Sequence, residues 1–152
     1  LHNMGLKVQL TVVGHNLKYD HLPFPCEVIA NLDVSLDSDF TRLKSLYLSS
    51  HFFILPTKVE AFGIVFSEAM SLGLPVVTRS VCATPEILND RIEGFLIKDG
   101  QSLDSVAKDL ADLIQDQPRY GEMQNNASKR FSERFHPKLW VDRLIEISEK
   151  NL

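Results

Sequence analysis

The sequence predicts an α/β protein built on a doubly wound parallel sheet, with helices filling its final third. Three observations carry that expectation. Short apolar runs of strand length alternate with helix-forming segments, the pattern of a parallel sheet wound by crossover helices. Glycine and proline punctuate the boundaries, at Gly14, Pro56, Gly73 and Pro75. After Ile97 no further strand pattern occurs and apolar residues recur at helical spacing.

Taken in order, Val8–Val13 reads as a buried-type strand ended by Gly14. His15–Cys26 holds Pro23 and Pro25 without helical period and reads as a loop. Val28–Leu32 is a second strand. Asp37, Ser38 and Asp39 offer capping oxygens before a helix whose apolar face is Phe40, Leu43, Leu46 and Tyr47. His51–Leu55 is the third strand. A helix over Ile64–Leu72 closes at Gly73, and its polar residues Ser67, Glu68 and Ser71 form one narrow stripe on an otherwise apolar cylinder. Val76–Thr78 follows as a strand. Thr84-Pro85 reads as an N-cap with proline at the first helical position, and Gly94–Ile97 is the last strand. Three helices complete the chain: one lined by Leu103, Val106, Leu110, Leu113 and Ile114, one marked by Met123, Ala127 and Phe131, and one beginning near Pro137 and lined by Trp140, Leu144 and Ile147.

With 152 residues, the chain fits a single domain by size. Its start, Leu1-His2-Asn3-Met4-Gly5, shows neither an initiator methionine in first place nor a signal peptide, so we expect a fragment of a longer protein. A net charge of −4 with no basic run argues against nucleic-acid binding, which needs a concentrated cationic footprint. No apolar run approaches the length of a membrane span. Cys26 and Cys82 are too few for a disulfide framework, and reduced thiols suit a cytoplasmic protein. The full-length protein could still attach peripherally to a membrane.

The most informative pair of residues is Glu60 and Glu68. The first lies in the loop after the third strand and the second inside the next helix. Open parallel sheets bind ligands where strands end and helices begin, and a helix N-terminus suits phosphate. A carboxylate accepts two hydrogen bonds from a diol. The pair therefore points to a ligand carrying both hydroxyls and phosphates.

Around that pair, Pro56-Thr57, Glu60-Ala-Phe62-Gly63, Glu68-Ala69-Met70, Gly73-Leu-Pro75-Val-Val, Pro85-Glu86-Ile87 and Gly94-Phe-Leu stand at family offsets. In these the chain resembles the C-terminal domain of retaining GT-B glycosyltransferases of the group-1, or family 4, type. The likeness covers about residues 39–135. It implies a Rossmann-like domain holding a nucleotide sugar, a UDP- or GDP-sugar, opposite an N-terminal acceptor-binding domain that this chain lacks. It implies that Glu68 takes the ribose hydroxyls and Glu60, the catalytic-site acid, contacts the sugar. The stretch from Phe62 through Gly63, Ile64 and Val65 would bind the donor, with backbone N–H groups at Gly63–Val65 facing the diphosphate. Lys58 and Arg79 flank the cleft and could help neutralise phosphate. No cofactor or metal is expected, and the fragment alone should be inactive.

The chain departs from the family at Cys82-Ala83, where a Gly-Gly pair usually lets backbone approach the donor. It also lacks the family's basic first C-domain strand. Two other readings stay open: a non-catalytic nucleotide-sugar-binding module, and a GT-B-type nucleotide-sugar epimerase. Elsewhere the plainer explanations hold. Asp37 and Asp39 suit capping better than metal. Glu86 is an acid in a first helical turn, as the helix dipole favours. The five histidines show no metal-ligand spacing, and His51 is expected in strand packing. Trp140 is expected in a core or a domain interface.

Overall fold

The protein is described here from a computed structural model covering residues 1–16, 19 and 21–150, without the side chains of residues 144, 149 and 150. Leu17, Lys18 and Asp20 of the expected loop, and the Leu144 side chain expected on the last helix, lie outside the described residues. The elements form an α/β fold with parallel sheets and flanking helices. Two compact units result. One comprises Leu1–Ser50 with Gln101–Gln117, the other His51–Gly100 with Pro118–Leu152.

In the first unit, β1 (Leu10–Val13) and β2 (Cys26–Ile29) pair in parallel, Leu10 opposite Cys26 and Val13 opposite Ile29. β2 thus begins two residues before the apolar run that suggests it. The Leu10 N–H donates to the Pro25 carbonyl, so pairing with β1 sets the start of the strand. Helix α1 (Asp37–Ser49) buries no residue fully; Leu43, Leu46 and Tyr47 are half-buried and Phe40 is exposed. Asp37 and Asp39 lie inside its first turn and no side chain caps it. Asp39 Oδ2 instead accepts from the Asp33 amide at 2.9 Å. Helix α4 (Leu103–Gln115) is capped by Ser102, whose Oγ accepts from the Asp104 amide, and it buries Val106, Leu110, Ala111 and Leu113.

The second unit carries a three-stranded parallel sheet in the order β3 (Phe53–Leu55), β4 (Val76–Arg79), β5 (Gly94–Ile97). The central strand β4 is the most buried, with Val76, Val77 and Thr78 all at or below 2% exposure. A strand covered on both faces reads as a continuous apolar run, as Pro75–Val77 does. Helix α2 (Ile64–Ser71) packs on β4 and buries Phe66, Ala69 and Met70. Eight residues cannot hold a helix alone in water. Full burial of Phe66 and Met70 contributes about 1.5–3 kcal/mol each and supplies the difference.

Short helix α3 (Thr84–Ile87) precedes β5, and α5 (Gln117–Arg130) buries Tyr120, Met123 and Ala127. A single π turn, Phe131–Phe135, closed by the His136 amide on the Phe131 carbonyl, joins α5 to α6 (Pro137–Lys150). His51 stands just before β3 rather than within it, and its carbonyl accepts from the Tyr120 hydroxyl at 2.9 Å. Trp140 is 57% exposed, so it packs in no core of this chain. Among the described residues no helix is long and apolar enough to cross a membrane.

Candidate functional site

Because β3, β4 and β5 run parallel, the loops after β3 and β4 leave one edge of the sheet side by side. Leu55 and Thr78, the partners at that edge, are further joined by a 2.8 Å hydrogen bond from the Thr78 hydroxyl to the Leu55 carbonyl. Residues 56–63 and 80–83 therefore form adjacent rims, and α2 rises from the first.

Glu60 is half-buried in the first rim. Its Oε1 accepts the Gly63 amide at 2.9 Å and the Phe62 amide at 3.3 Å. A carboxylate there suits the positive end of α2 and compensates for the lack of a capping side chain at Gly63. Thus one of the three amides expected to face phosphate is already engaged. The N–H groups of Ile64 and Val65 belong to the first helical turn, where no carbonyl one turn back exists within the helix to take them. Oε2 of Glu60 makes no hydrogen bond to the described residues.

Gly63 has φ +63 and ψ +46, and a Cβ placed on it would come within 2.5 Å of Phe66 Cδ2 and 2.8 Å of Ile87 Cδ1. Backbone conformation and packing demand glycine here whether or not a phosphate approaches.

Glu68 is exposed, one turn above Ile64, which is itself 61% exposed. The two share the open face of α2. That corrects the expectation of a helix buried nearly all round: Val65 and Leu72 are also only partly buried. Ser67 and Ser71, the other members of the polar stripe, spend their hydroxyls on the carbonyls of Ile64 and Glu68, at 2.7 and 2.6 Å. Glu68 is the exposed carboxylate of that stripe. Phe62 (60% exposed) and Val59 (75% exposed) add apolar surface on the same rim. Lys58 and Arg79 are exposed, Arg79 at the last position of β4.

The second rim is a tight turn. The Thr84 amide donates to the Val81 carbonyl at 3.0 Å, making Cys82 and Ala83 the central residues. Cys82 has φ +47, and Ala83 has φ −80 and ψ −7, values suited to a type II′ turn with its preference for glycine first. The loop keeps a glycine-like backbone while carrying an exposed cysteine.

Sequence reasoning missed the groups that hold this region from behind. Glu93 is buried, and its Oε2 accepts the Asn89 amide at 2.7 Å. Arg130, on α5, lies 4.0 Å from Glu93 and donates to the carbonyls of Ile87 at 3.0 Å and Glu86 at 2.8 Å, capping the C-terminal end of α3. The available signal was a glutamate beside the apolar run Gly94–Ile97; nothing in local pattern pointed to Arg130. Among the described residues no group of three or more metal-ligating side chains occurs.

A family model, that of the glycosyl transferases group 1, matches residues 1–130. A sucrose synthase from Acidithiobacillus caldus is 35% identical over 100 residues, which is 63% of this chain and 12% of that enzyme. An uncharacterised glycosyltransferase from Methanocaldococcus jannaschii is 34% identical over 93 residues, 61% of this chain and 24% of the relative. The chain thus spans less than a quarter of the length of these relatives. Among solved structures, Anabaena HepE in complex with UDP aligns with a TM-score of 0.63 at 22% identity, over 85% of this chain and 32% of HepE. A glycosyltransferase from Rickettsia africae aligns with a TM-score of 0.66 at 18% identity, over 98% of this chain and 49% of its own. At such identities the likeness concerns the fold.

Proposed function

The chain belongs to the glycosyl transferases group 1 family, and from that premise we propose that it is the donor-binding part of a retaining glycosyltransferase using a UDP- or GDP-sugar. The observation that carries this reading is the β3–α2 rim. A glutamate-capped helix start, with Ile64 and Val65 amides in its first turn, lies one helical turn below an exposed glutamate. Diphosphate is assigned to the amides and to the Lys58 and Arg79 charges, ribose to Glu68, and the transferred sugar to Oε2 of Glu60 with the apolar face of Phe62.

In this assignment the reaction needs no metal. The leaving diphosphate gains stabilisation from backbone N–H groups and the helix dipole, positioned in advance and costing no reorganisation as charge develops. The acceptor comes from a separate N-terminal domain, so residues 1–152 bind donor weakly and transfer nothing by themselves. UDP, which HepE binds, is the first ligand to try. A thermal-shift series with UDP, GDP and their sugars tests the proposal. A ligand at about 100 times Kd adds roughly 2.7 kcal/mol of stability. No shift with any of them at millimolar concentration would overturn it.

A second reading, a nucleotide-sugar-binding module without turnover, draws on Cys82. Its side chain projects from a turn where the family pattern leaves room for donor. Transfer by the full-length protein separates the two.

A further inference from the structure

We propose that the Thr84 hydroxyl is a positioning group that fixes the second rim of the donor site; the donor role rests on the reading just given. Thr84 is fully buried, at 0% exposure. Its Oγ1 accepts the Val81 amide at 2.9 Å, and its single proton is shared between the carbonyls of Arg79 at 2.7 Å and Val81 at 2.8 Å. Its own amide donates to the Val81 carbonyl. One residue thus ties the end of β4 to the start of α3 and leaves only Cys82 and Ala83 to reverse the chain.

That closure explains an otherwise unfavourable conformation. A cysteine at φ +47 meets the steric cost that glycine avoids, and such strain persists only where surrounding bonds over-determine it. Thr84 supplies those bonds from inside the fold. On the far side of β4 the Ser80 amide is held by the Ile97 carbonyl at 2.9 Å, so the loop is pinned at its first residue as well. The free elements are the Cys82 side chain, the Cys82–Ala83 peptide and the Arg79 guanidinium, all carried by the segment Thr84 anchors. Glycine in the family pattern lowers the cost of this turn; here the threonine hydroxyl holds it against that cost.

The Val81 amide reports on the turn. It donates to the Thr84 hydroxyl at 2.9 Å and to the Arg79 carbonyl at 3.0 Å, so the change in its hydrogen-exchange rate between variants, not its protection alone, measures what the hydroxyl contributes. Thr84→Val keeps shape and removes the hydroxyl, whereas Thr84→Ser keeps the hydroxyl. We expect Thr84→Val to speed exchange at this amide and to weaken UDP or GDP binding by about tenfold each, the scale of one lost hydrogen bond, and Thr84→Ser to restore both to within about twofold. Equal exchange and equal affinity in Thr84→Val and Thr84→Ser would overturn the proposal. Should Thr84→Val fail to fold, Thr84→Ala takes its place in the same comparison with Thr84→Ser. Absence of any nucleotide binding by the parent would overturn the donor reading, while exchange would still judge the clamp.

Discussion

Replacing Gly63 by alanine separates two explanations of that glycine. If its purpose were only to admit a phosphate, Gly63→Ala would fold as well as the parent and bind nucleotide poorly. The structure demands a different outcome. An alanine at φ +63 costs about 1 kcal/mol in backbone conformation. Its Cβ would also sit 2.5 Å from Phe66 and 2.8 Å from Ile87, in a packed region where added volume costs about 1–3 kcal/mol. The sum is about 2–4 kcal/mol, or a fall of about 4–16 °C in Tm for a chain of this size. Gly100→Ala provides the control. Gly100 shares the positive φ, at +76, but nothing lies within 4 Å of its would-be Cβ, so only the conformational cost, about 2–4 °C, should appear. Thermal unfolding followed by circular dichroism without ligand measures both. Equal Tm values for the two variants would refute the packing argument, because the difference between them is the clash alone.

Arg130→Met should lower stability by about 3 kcal/mol, because it leaves Glu93 buried without its cation and the α3 carbonyls without their donor; urea denaturation checks this, and Arg130→Met/Glu93→Gln should recover part of the loss. Cys82→Gly should act in the opposite sense, raising Tm by up to about 4 °C as the positive-φ strain is relieved. Burial pushes the Tyr120 hydroxyl above its ordinary range. A raised folded-state pKa contributes stability that is present below the unfolded value, about 10, and is lost as pH rises through the folded value. Denaturation curves taken upward from about pH 9 should therefore fall more steeply for the parent than for Tyr120→Phe.

Much of the fold was legible in the chain, for physical reasons that also mark where legibility stops. Gly94–Ile97 matched its strand to the residue because an apolar run between turn signals is a local property. β2 did not, since its start is set by the Leu10–Pro25 hydrogen bond, a partner fifteen residues away. The helix boundaries at Ile64 and Pro137 were set by Gly63 and by proline, again locally. Which face of α2 and α6 would be covered was not legible, because Ile64 and Trp140 look like core residues until the surroundings are known. In the candidate site, Glu60 and Glu68 were singled out by their places in the loop and helix together with the surrounding motifs, but Glu60's bonds to Phe62 and Gly63 depend on the turn of the loop. Thr84 looked like a helix cap; its hydroxyl in fact holds the preceding strand end. Arg130 and Glu93 meet across thirty-seven positions, and no local pattern carries such a pairing.

In the proposed assignment Glu68 takes the ribose of a nucleoside diphosphate. Calorimetric titration of free UDP and GDP into the parent, Glu68→Gln and Glu60→Gln tests that assignment. One diphosphate should bind the parent. Glu68→Gln should bind it about 10–100-fold more weakly, since it loses charge from two hydrogen bonds each worth roughly 1.5–3 kcal/mol. Glu60→Gln should stay within about threefold, because the amide oxygen still accepts from Gly63 and the lost charge faces the sugar, which free diphosphate lacks. Equal affinity of the parent and Glu68→Gln would contradict the claim.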